Sequence, residues 1–153
     1  MISLRELNNE NLFKVIKLSD TLDENQKKVV APNVISIAQA YVNQDIAWLR
    51  VIYLDDEPIG FVMVALKDED IIKEDQPAYF LWRLMIAKPY QSKGYGKEVL
   101  DIIYDKCKTD HIKYLYVSCH IEDAMPYQFY VKYGFIDTHV MEDHEEILKI
   151  EIK

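Results

Sequence analysis

The sequence predicts a mixed α/β domain whose elements run βααβββαβαββ. Three observations carry that expectation. Residues 48–54 and 58–66 are two runs rich in strand-forming residues, joined by the turn DDEP, and so make a hairpin. Residues 78–86, AYFLWRLMI, form a nearly unbroken apolar run, as in a central strand covered on both faces. That run passes through KPYQSKGYGK into a segment of helical spacing, and an alternating strand follows.

In chain order, residues 2–7 make a first strand. Asn9 caps a helix reaching about Leu18, with Leu12, Phe13, Ile16 and Lys17 near helical spacing. Residues 20–32 are polar and contain Pro32, which predicts a loop or a short helix. Asn33 caps a second helix, with Val34, Ile37, Ala38 and Tyr41 on one face. The hairpin comes next, then a solvated loop, KDEDIIKED, then the apolar strand. Tyr95, Val99, Ile103 and Cys107 recur every four residues, with Leu100 and Tyr104 beside them, and mark the helix after the junction. Ile112, Tyr114, Tyr116 and Ser118 alternate with Lys113, Leu115, Val117 and Cys119 in the following strand. A helix at 123–133 ends at Gly134, and strands at 135–141 and 145–152 finish the chain.

Length and composition bound the class. With 153 residues, half of them apolar, the chain reads as one domain over residues 1–153, long enough to bury a core. Four glycines and five prolines leave little room for a long linker. No apolar run reaches the length of a membrane span. The start, MISLRELNNENL, lacks the basic and apolar regions of a signal peptide, so the expected compartment is the cytoplasm. Cys107 and Cys119 form no C-x-x-C pair and read as two buried free thiols. The net charge is −8, yet residues 76–97 hold Arg83, Lys88, Lys93 and Lys97 and no acid. That +4 island leaves −12 on the remainder, which points to one bound anion there and a field attractive to cations elsewhere. Nucleic acid asks for a broader basic face and is not expected.

The junction YQSKGYGKEVL places bare backbone and positive charge where a strand turns into a helix. A helix N-terminus has unpaired N–H groups and the positive end of the helix dipole. Glycines 94 and 96 remove side chains that would keep a phosphate away from the backbone. Lys97, in the first turn, is unfavourable to the dipole unless an anion binds beside it. The pattern is physically a pyrophosphate cradle, running from Gln91 through Ser92, Lys93, Gly94, Tyr95 and Gly96 to Lys97. The alternative is a glycine-rich turn that holds no ligand. It is not a P-loop, since no G-x-x-x-x-G-K-[ST] occurs. Nor is it a dinucleotide fingerprint, since Val99 stands where the third glycine belongs.

Residues 91–96, together with the later run Tyr130-Val131-Lys132-Tyr133-Gly134-Phe135, resemble the GNAT superfamily of acyl-CoA-dependent N-acyltransferases. That family pairs Q/R-x-x-G-x-G/A with a later helix carrying Y-x-x-x-G-F. The resemblance covers essentially the whole chain, strand order included. It implies the GNAT fold, a mixed, mostly antiparallel sheet of about seven strands flanked by about four helices. FLWRLMIAKPYQSKGYG is most similar to bacterial spermine/spermidine or diamine acetyltransferases. The resemblance implies acetyl-CoA as cosubstrate, a primary amine of a small cationic molecule as acceptor, and a homodimer. It implies that Leu84, Met85 and Ile86 pair with the pantetheine arm, and that an amide at or beside Met85 polarises the thioester carbonyl. The pyrophosphate falls on Gln91 to Lys97. Tyr130 matches the family's general acid, which gives a proton to the departing thiolate. Phenol and thiol pKa values of about 10 and about 8.5 suit that transfer. Tyr127 and Tyr133 are expected to be structural or to face the substrate.

This chain departs from the pattern at two places. Asp123 stands where the family often has Asn; as a cofactor-binding position it can cap the helix but not donate a hydrogen bond. Trp82 and Arg83 replace acidic residues that some polyamine acetyltransferases carry before the cofactor strand. No general base is assigned. Glu24, Glu57 and Glu122 qualify only by rough topology, and a water chain is the other route. The histidines at 111, 120, 139 and 144 lack metal-ligand spacing, so no metal is expected. Cys119 and His120 are adjacent on a strand, point to opposite faces and make no dyad, so direct transfer is expected without an acyl-enzyme. Two other activities fit the same residues: a catalytically weak acyl-CoA-binding sensor or assembly module, and a protein or peptide N-acetyltransferase.

Overall fold

The computed structural model of the chain describes residues 1–120 and 124–153. Its strands are β1 (Ile2–Arg5), β2 (Ala47–Leu54), β3 (Glu57–Ala65), β4 (Ala78–Ile86), β5 (Tyr114–His120), β6 (Ile136–Glu142) and β7 (Glu145–Glu151). They hydrogen-bond in the order β1-β2-β3-β4-β5-β7-β6. The α-helices among the described residues are α1 (Leu12–Leu18), α2 (Glu24–Val29), α3 (Asn33–Val42), α4 (Tyr95–Thr109) and α5 (Ala124–Tyr133). The mixed sheet is the one expected. The extra helix is α2, in the polar stretch read as a loop or short helix. Asp23 starts α2 with a reciprocal capping box, its carboxylate accepting from the Gln26 amide while the Gln26 side chain accepts from the Asp23 amide.

Two compact units make up the chain: Met1–Val64 with Arg83–Asp101, and Ala65–Trp82 with Ile102–Lys153. In the first unit β1 runs antiparallel to β2, from Ile2↔Leu54 to Arg5↔Val51. The hairpin turn places Asp55 at a φ of 54°, a conformation that Asp tolerates better than most residues. The interior of β3 is almost wholly buried: Ile59, Val62, Met63 and Val64 are fully enclosed, and Phe61 nearly so. That is the burial of a strand covered on both faces.

Helix α3 differs from its sequence pattern. Its N-cap is Pro32, whose extended ψ of 143° lies outside the helix, and Asn33 is the first helical residue instead of the cap. Asn33 and Ser36 are fully buried, while Val34, Ala38 and Tyr41, expected on the inner face, are exposed. The Asn33 amide group explains the inversion: its Nδ2 donates to the Val15 carbonyl at 2.7 Å and fixes the polar side of the helix inward.

In the second unit β5 is parallel to β4 over Ala78↔Tyr114 to Leu81↔Val117 and antiparallel to β7 along its whole length. Strand β6 pairs antiparallel with β7, with a bulge between Asp137 and Val140 where His139 has a φ of 61°. Asp75 is buried and joined to Tyr116 Oη and to Lys149 Nζ, the latter at 2.7 Å. Burial works to raise the Asp75 pKa, but the hydrogen bonds from Lys149 and Tyr116 outweigh it and the net shift is downward. Ile71, Ala78, Tyr116 and Ile147 pack into one apolar cluster around that network. Both cysteines are free and buried, as expected, and burial pushes the Cys107 thiol up to about 12.

Candidate active site

The first candidate motif is built in the first unit, around the C-terminal end of β4. Met85 is buried. A Cβ placed on Gly60 would lie 2.0 Å from the Met85 carbonyl oxygen and 3.0 Å from the Ile86 Cα, so only glycine lets the backbone approach here. The Ala87 amide donates to the Ile59 carbonyl at 2.8 Å and continues the contact past the strand end. Gly60 was not singled out by the sequence reading. A glycine within a strand pattern is the signal that would have found it.

A brace then fixes the turn. Gln91 Nε2 donates to the Ile86 carbonyl at 2.8 Å, and Gln91 Oε1 accepts from Gln26 Nε2 at 2.9 Å. The Lys88 amide donates to Thr21 Oγ1 at 2.9 Å, and Lys88 Nζ reaches Asp23 at 3.1 Å. Asp23 is held below the usual carboxylate range, first by the Gln26 amide and then by Lys88. The side chain of Gln91 is thus occupied with the strand end, and its contribution to the cradle is to hold the loop in place.

Beyond the brace, Ser92 and Gly94 both lie at positive φ, 60° and 87°. Nothing comes within 4 Å of a Cβ built on Gly94, so the space over that backbone is open. The first bond of α4 runs from the Glu98 amide to the Gly94 carbonyl at 3.3 Å. The amides of Tyr95, Gly96 and Lys97 precede it and have no helical carbonyl to reach. Ser92, Lys93 and Gly94 are exposed. Lys97 is paired with Asp101 at 3.0 Å on the surface. The arrangement is a run of N–H groups without helical acceptors at the positive end of a fifteen-residue helix, with open space over Gly94, a combination suited to a diphosphate.

The second candidate motif lies in the second unit. Gly134, at a φ of 129°, ends α5, and its amide and that of Phe135 both donate to the Tyr130 carbonyl, at 3.2 and 3.0 Å. This turn returns Phe135 edge-on against the Tyr130 ring, with centroids 5.3 Å apart. Tyr130 is only 7% exposed. Burial, and then the neighbouring Cys119, push its phenol well above the ordinary tyrosine range. Tyr127 Oη donates to Asp137 at 3.0 Å, which gives it a structural task. Tyr133 is half-buried, 6.1 Å from the Phe135 ring.

Asp123 and Glu122 lie outside the described residues. Glu24 is exposed, 3.9 Å from Lys27, and Glu57 is exposed at the start of β3. Cys119 is buried while His120 is half-exposed, in keeping with neighbours that point to opposite faces. Among the described residues no cluster of His, Cys, Asp or Glu could hold a metal ion, and no helix is long and apolar enough to cross a membrane.

Comparison with known proteins follows the geometry. No curated protein matches the sequence. Among solved structures, a putative GNAT-family acetyltransferase from Desulfovibrio desulfuricans is similar over 100% of both chains, at 15% identity and a TM-score of 0.77. The PaiA N-acetyltransferase of Thermoplasma acidophilum, solved in complex with coenzyme A, is 20% identical over 99% of both chains, with a TM-score of 0.67. A GNAT-family acetyltransferase from Elizabethkingia anophelis with acetyl-CoA bound is 16% identical over 99% of this chain and 97% of that one, with a TM-score of 0.67. These likenesses establish the fold. The sequence profile of the Acetyltransferase (GNAT) family matches residues 9–135, which span both the cradle and the Tyr130 turn, so the chain belongs to the GNAT family and is an acetyl-CoA-dependent acetyltransferase.

Proposed function

We propose that this enzyme transfers the acetyl group of acetyl-CoA directly to a primary amine of a small cationic acceptor, such as a polyamine or diamine. The observation that carries the cofactor half is the cradle, in which positive φ at Ser92 and Gly94 and the free amides of Tyr95 to Lys97 suit a diphosphate. Gln91 holds that loop to Ile86, and Lys93 adds positive charge. Leu84, Met85 and Ile86 would pair with the pantetheine arm, past the end of the β4–β5 register at Leu81. Asp123 is a cofactor-binding candidate by the family pattern alone. The cationic acceptor rests on the −12 carried outside the basic island.

When bound, acetyl-CoA supplies an activated acetyl thioester. The chain's own part is to fix the acyl carbonyl beside a backbone amide at or next to Met85 and to offer the Tyr130 proton to the sulfur. With its pKa raised, Tyr130 stays protonated throughout the neutral range. An unperturbed phenol is already a weaker acid than a thiol by about 1.5 units, or about 2 kcal/mol, and burial of Tyr130 widens the gap, so the hydroxyl acts first as a hydrogen-bond donor to developing negative charge. Cys119 is buried and neighbours the partly exposed His120 on one strand, where successive side chains point to opposite faces, which favours direct transfer. Two free buried thiols suit a reducing compartment, and we place the reaction in the cytoplasm, in a homodimer.

The test pairs calorimetry with coenzyme A and a free-thiol assay across spermidine, spermine, short diamines, an aminoglycoside and an N-terminal peptide. Saturable coenzyme A binding and turnover on the polyamines or diamines is the expected result. Binding without turnover on any acceptor would favour a sensor module, preferential turnover of the peptide a protein acetyltransferase, and no binding by the folded protein would refute the cradle.

A further inference from the structure

Helix α3 turns its polar residues inward and its apolar residues outward. Asn33 and Ser36 are both 0% exposed. They are three positions apart and therefore share one helix face. Asn33 Nδ2 is used on the Val15 carbonyl and lies 3.7 Å from the Met85 sulfur, while the Asn33 backbone amide donates to Ser19 Oγ at 3.2 Å. Asn33 Oδ1 and Ser36 Oγ have no hydrogen-bond partner. Two orphaned buried oxygens on one face are unusual, because native interiors pair such atoms. On the outer face Val34 and Ile35 are about half exposed, at 47% and 48%, and Tyr41 and Val42 are 72% and 74% exposed. Polar atoms in need of donors are shut in, and apolar side chains are left in water. The helix as seen is not in its best-satisfied state.

The chemistry of the orphans names their complement. An amide oxygen is only an acceptor, and a hydroxyl with no acceptor in reach offers lone pairs. Both call for N–H donors, and a primary ammonium or amine carries two or three on one atom. Asn33 touches the cofactor strand at Met85, where the reading above places the acyl group. We propose that Asn33 and Ser36 are the residues that hold and orient the amine acceptor, reached when α3 lifts from its resting position. This rests on the acetyltransferase reading of the site and adds to it the side chains that choose an N–H-bearing acceptor. The displacement gives the orphaned oxygens partners and releases the Asn33 bonds to Val15 and Ser19.

Spermidine is the probe, with Ser36→Ala and Asn33→Ala as separate variants. Ser36→Ala removes an unpaired hydroxyl, so a merely structural role predicts a Tm equal to or above wild type and unchanged kinetics. The proposal expects a wild-type Tm for Ser36→Ala and a lower Tm for Asn33→Ala, which loses the bond to Val15, with coenzyme A affinity unchanged and a rise of about tenfold in the KM for spermidine in both variants. Hydrogen exchange of the α3 amides should be fast in the coenzyme A complex and slowed by spermidine in wild type but not in Ser36→Ala. A KM within about twofold of wild type in both folded variants overturns the inference, as does α3 exchange that spermidine leaves unchanged. Failure of wild type to bind coenzyme A instead sinks the underlying reading, so the two failures are distinct.

Discussion

Replacing Gly60 by alanine tests whether the backbone approach of β3 to β4 supports the cofactor strand. The new Cβ would lie 2.0 Å from the Met85 carbonyl oxygen, where ordinary contact begins at 3.4 Å. The carbonyl must therefore retreat by about 1.4 Å, since a backbone atom cannot swing away as a side chain can. Overpacking of a well-filled interior costs about 1–3 kcal/mol, and a backbone clash belongs at the upper end. At about 2–4 °C per kcal/mol for a chain of this size, the Tm should fall by about 6–12 °C. Misplacing reacting groups by about 1 Å costs on the order of 10²-fold in rate, so acetyl transfer should fall at least that far in protein still folded at low temperature. Differential scanning fluorimetry, coenzyme A calorimetry at 10 °C and the free-thiol assay read the three quantities. A Gly60→Ala protein with a Tm within about 2 °C of wild type, and with coenzyme A affinity and turnover within about twofold, would show that the close approach at Met85 does not matter. Gly94→Ala is the informative contrast: no atom lies within 4 Å, so only the strain of a φ of 87° remains, and stability should fall by roughly 1–2 kcal/mol without any effect on β4.

Other predictions follow from single groups. Tyr130→Phe should lower kcat by about 10²-fold or more while leaving coenzyme A affinity unchanged, and unchanged turnover would remove the acid role. Tyr79, Tyr116 and Tyr130 all have folded-state pKa values raised by burial, the first two also by Asp110 and Asp75. The stability they contribute is fully present below the unfolded tyrosine pKa and is lost as pH rises from about 10 through the folded values, so chemical-denaturation midpoints should drop between about pH 10 and 12. Asp75→Ala strips the partner from Lys149 and Tyr116 at a buried site and should cost about 3 kcal/mol, measured by urea unfolding.

What the sequence made legible was set by local periodicity and turn chemistry. The apolar run at 78–86 is β4 to the residue, and Val99, Leu100, Ile103 and Cys107 are the fully buried face of α4. Gly134 ends α5 at a positive φ, as a C-terminal glycine should. Contacts between distant positions were not legible. Val34, Ala38 and Tyr41 have the spacing of a buried stripe, yet a bond from Asn33 to Val15, eighteen positions away, rolls them outward. The capping box of α2 was present as D-x-x-Q at 23–26 but lay in a stretch too polar to suggest a packed helix. In the cradle, the glycines and the helix start were readable. The tie of Gln91 to Ile86 and Gln26 was not, because motif spacing says nothing about which way a side chain turns.

The two motifs are therefore built by different physics. In the first, the side chain of Gln91 and that of Lys97 are committed to Ile86 and Asp101, and what faces outward is a set of main-chain amides shaped by positive φ at Ser92 and Gly94. In the second, the glycine binds nothing: its left-handed backbone turns Phe135 onto the Tyr130 ring and so fixes one hydroxyl. If backbone geometry carries the first task and a single phenol the second, as proposed, nearly every other side chain is free to differ. That is why a chain can share this fold at 15% identity with a TM-score of 0.77. On the proposed reading acceptor choice falls on side chains outside both motifs, and the orphaned oxygens of Asn33 and Ser36, on the helix face whose Asn33 amide lies 3.7 Å from the Met85 sulfur, are the candidates.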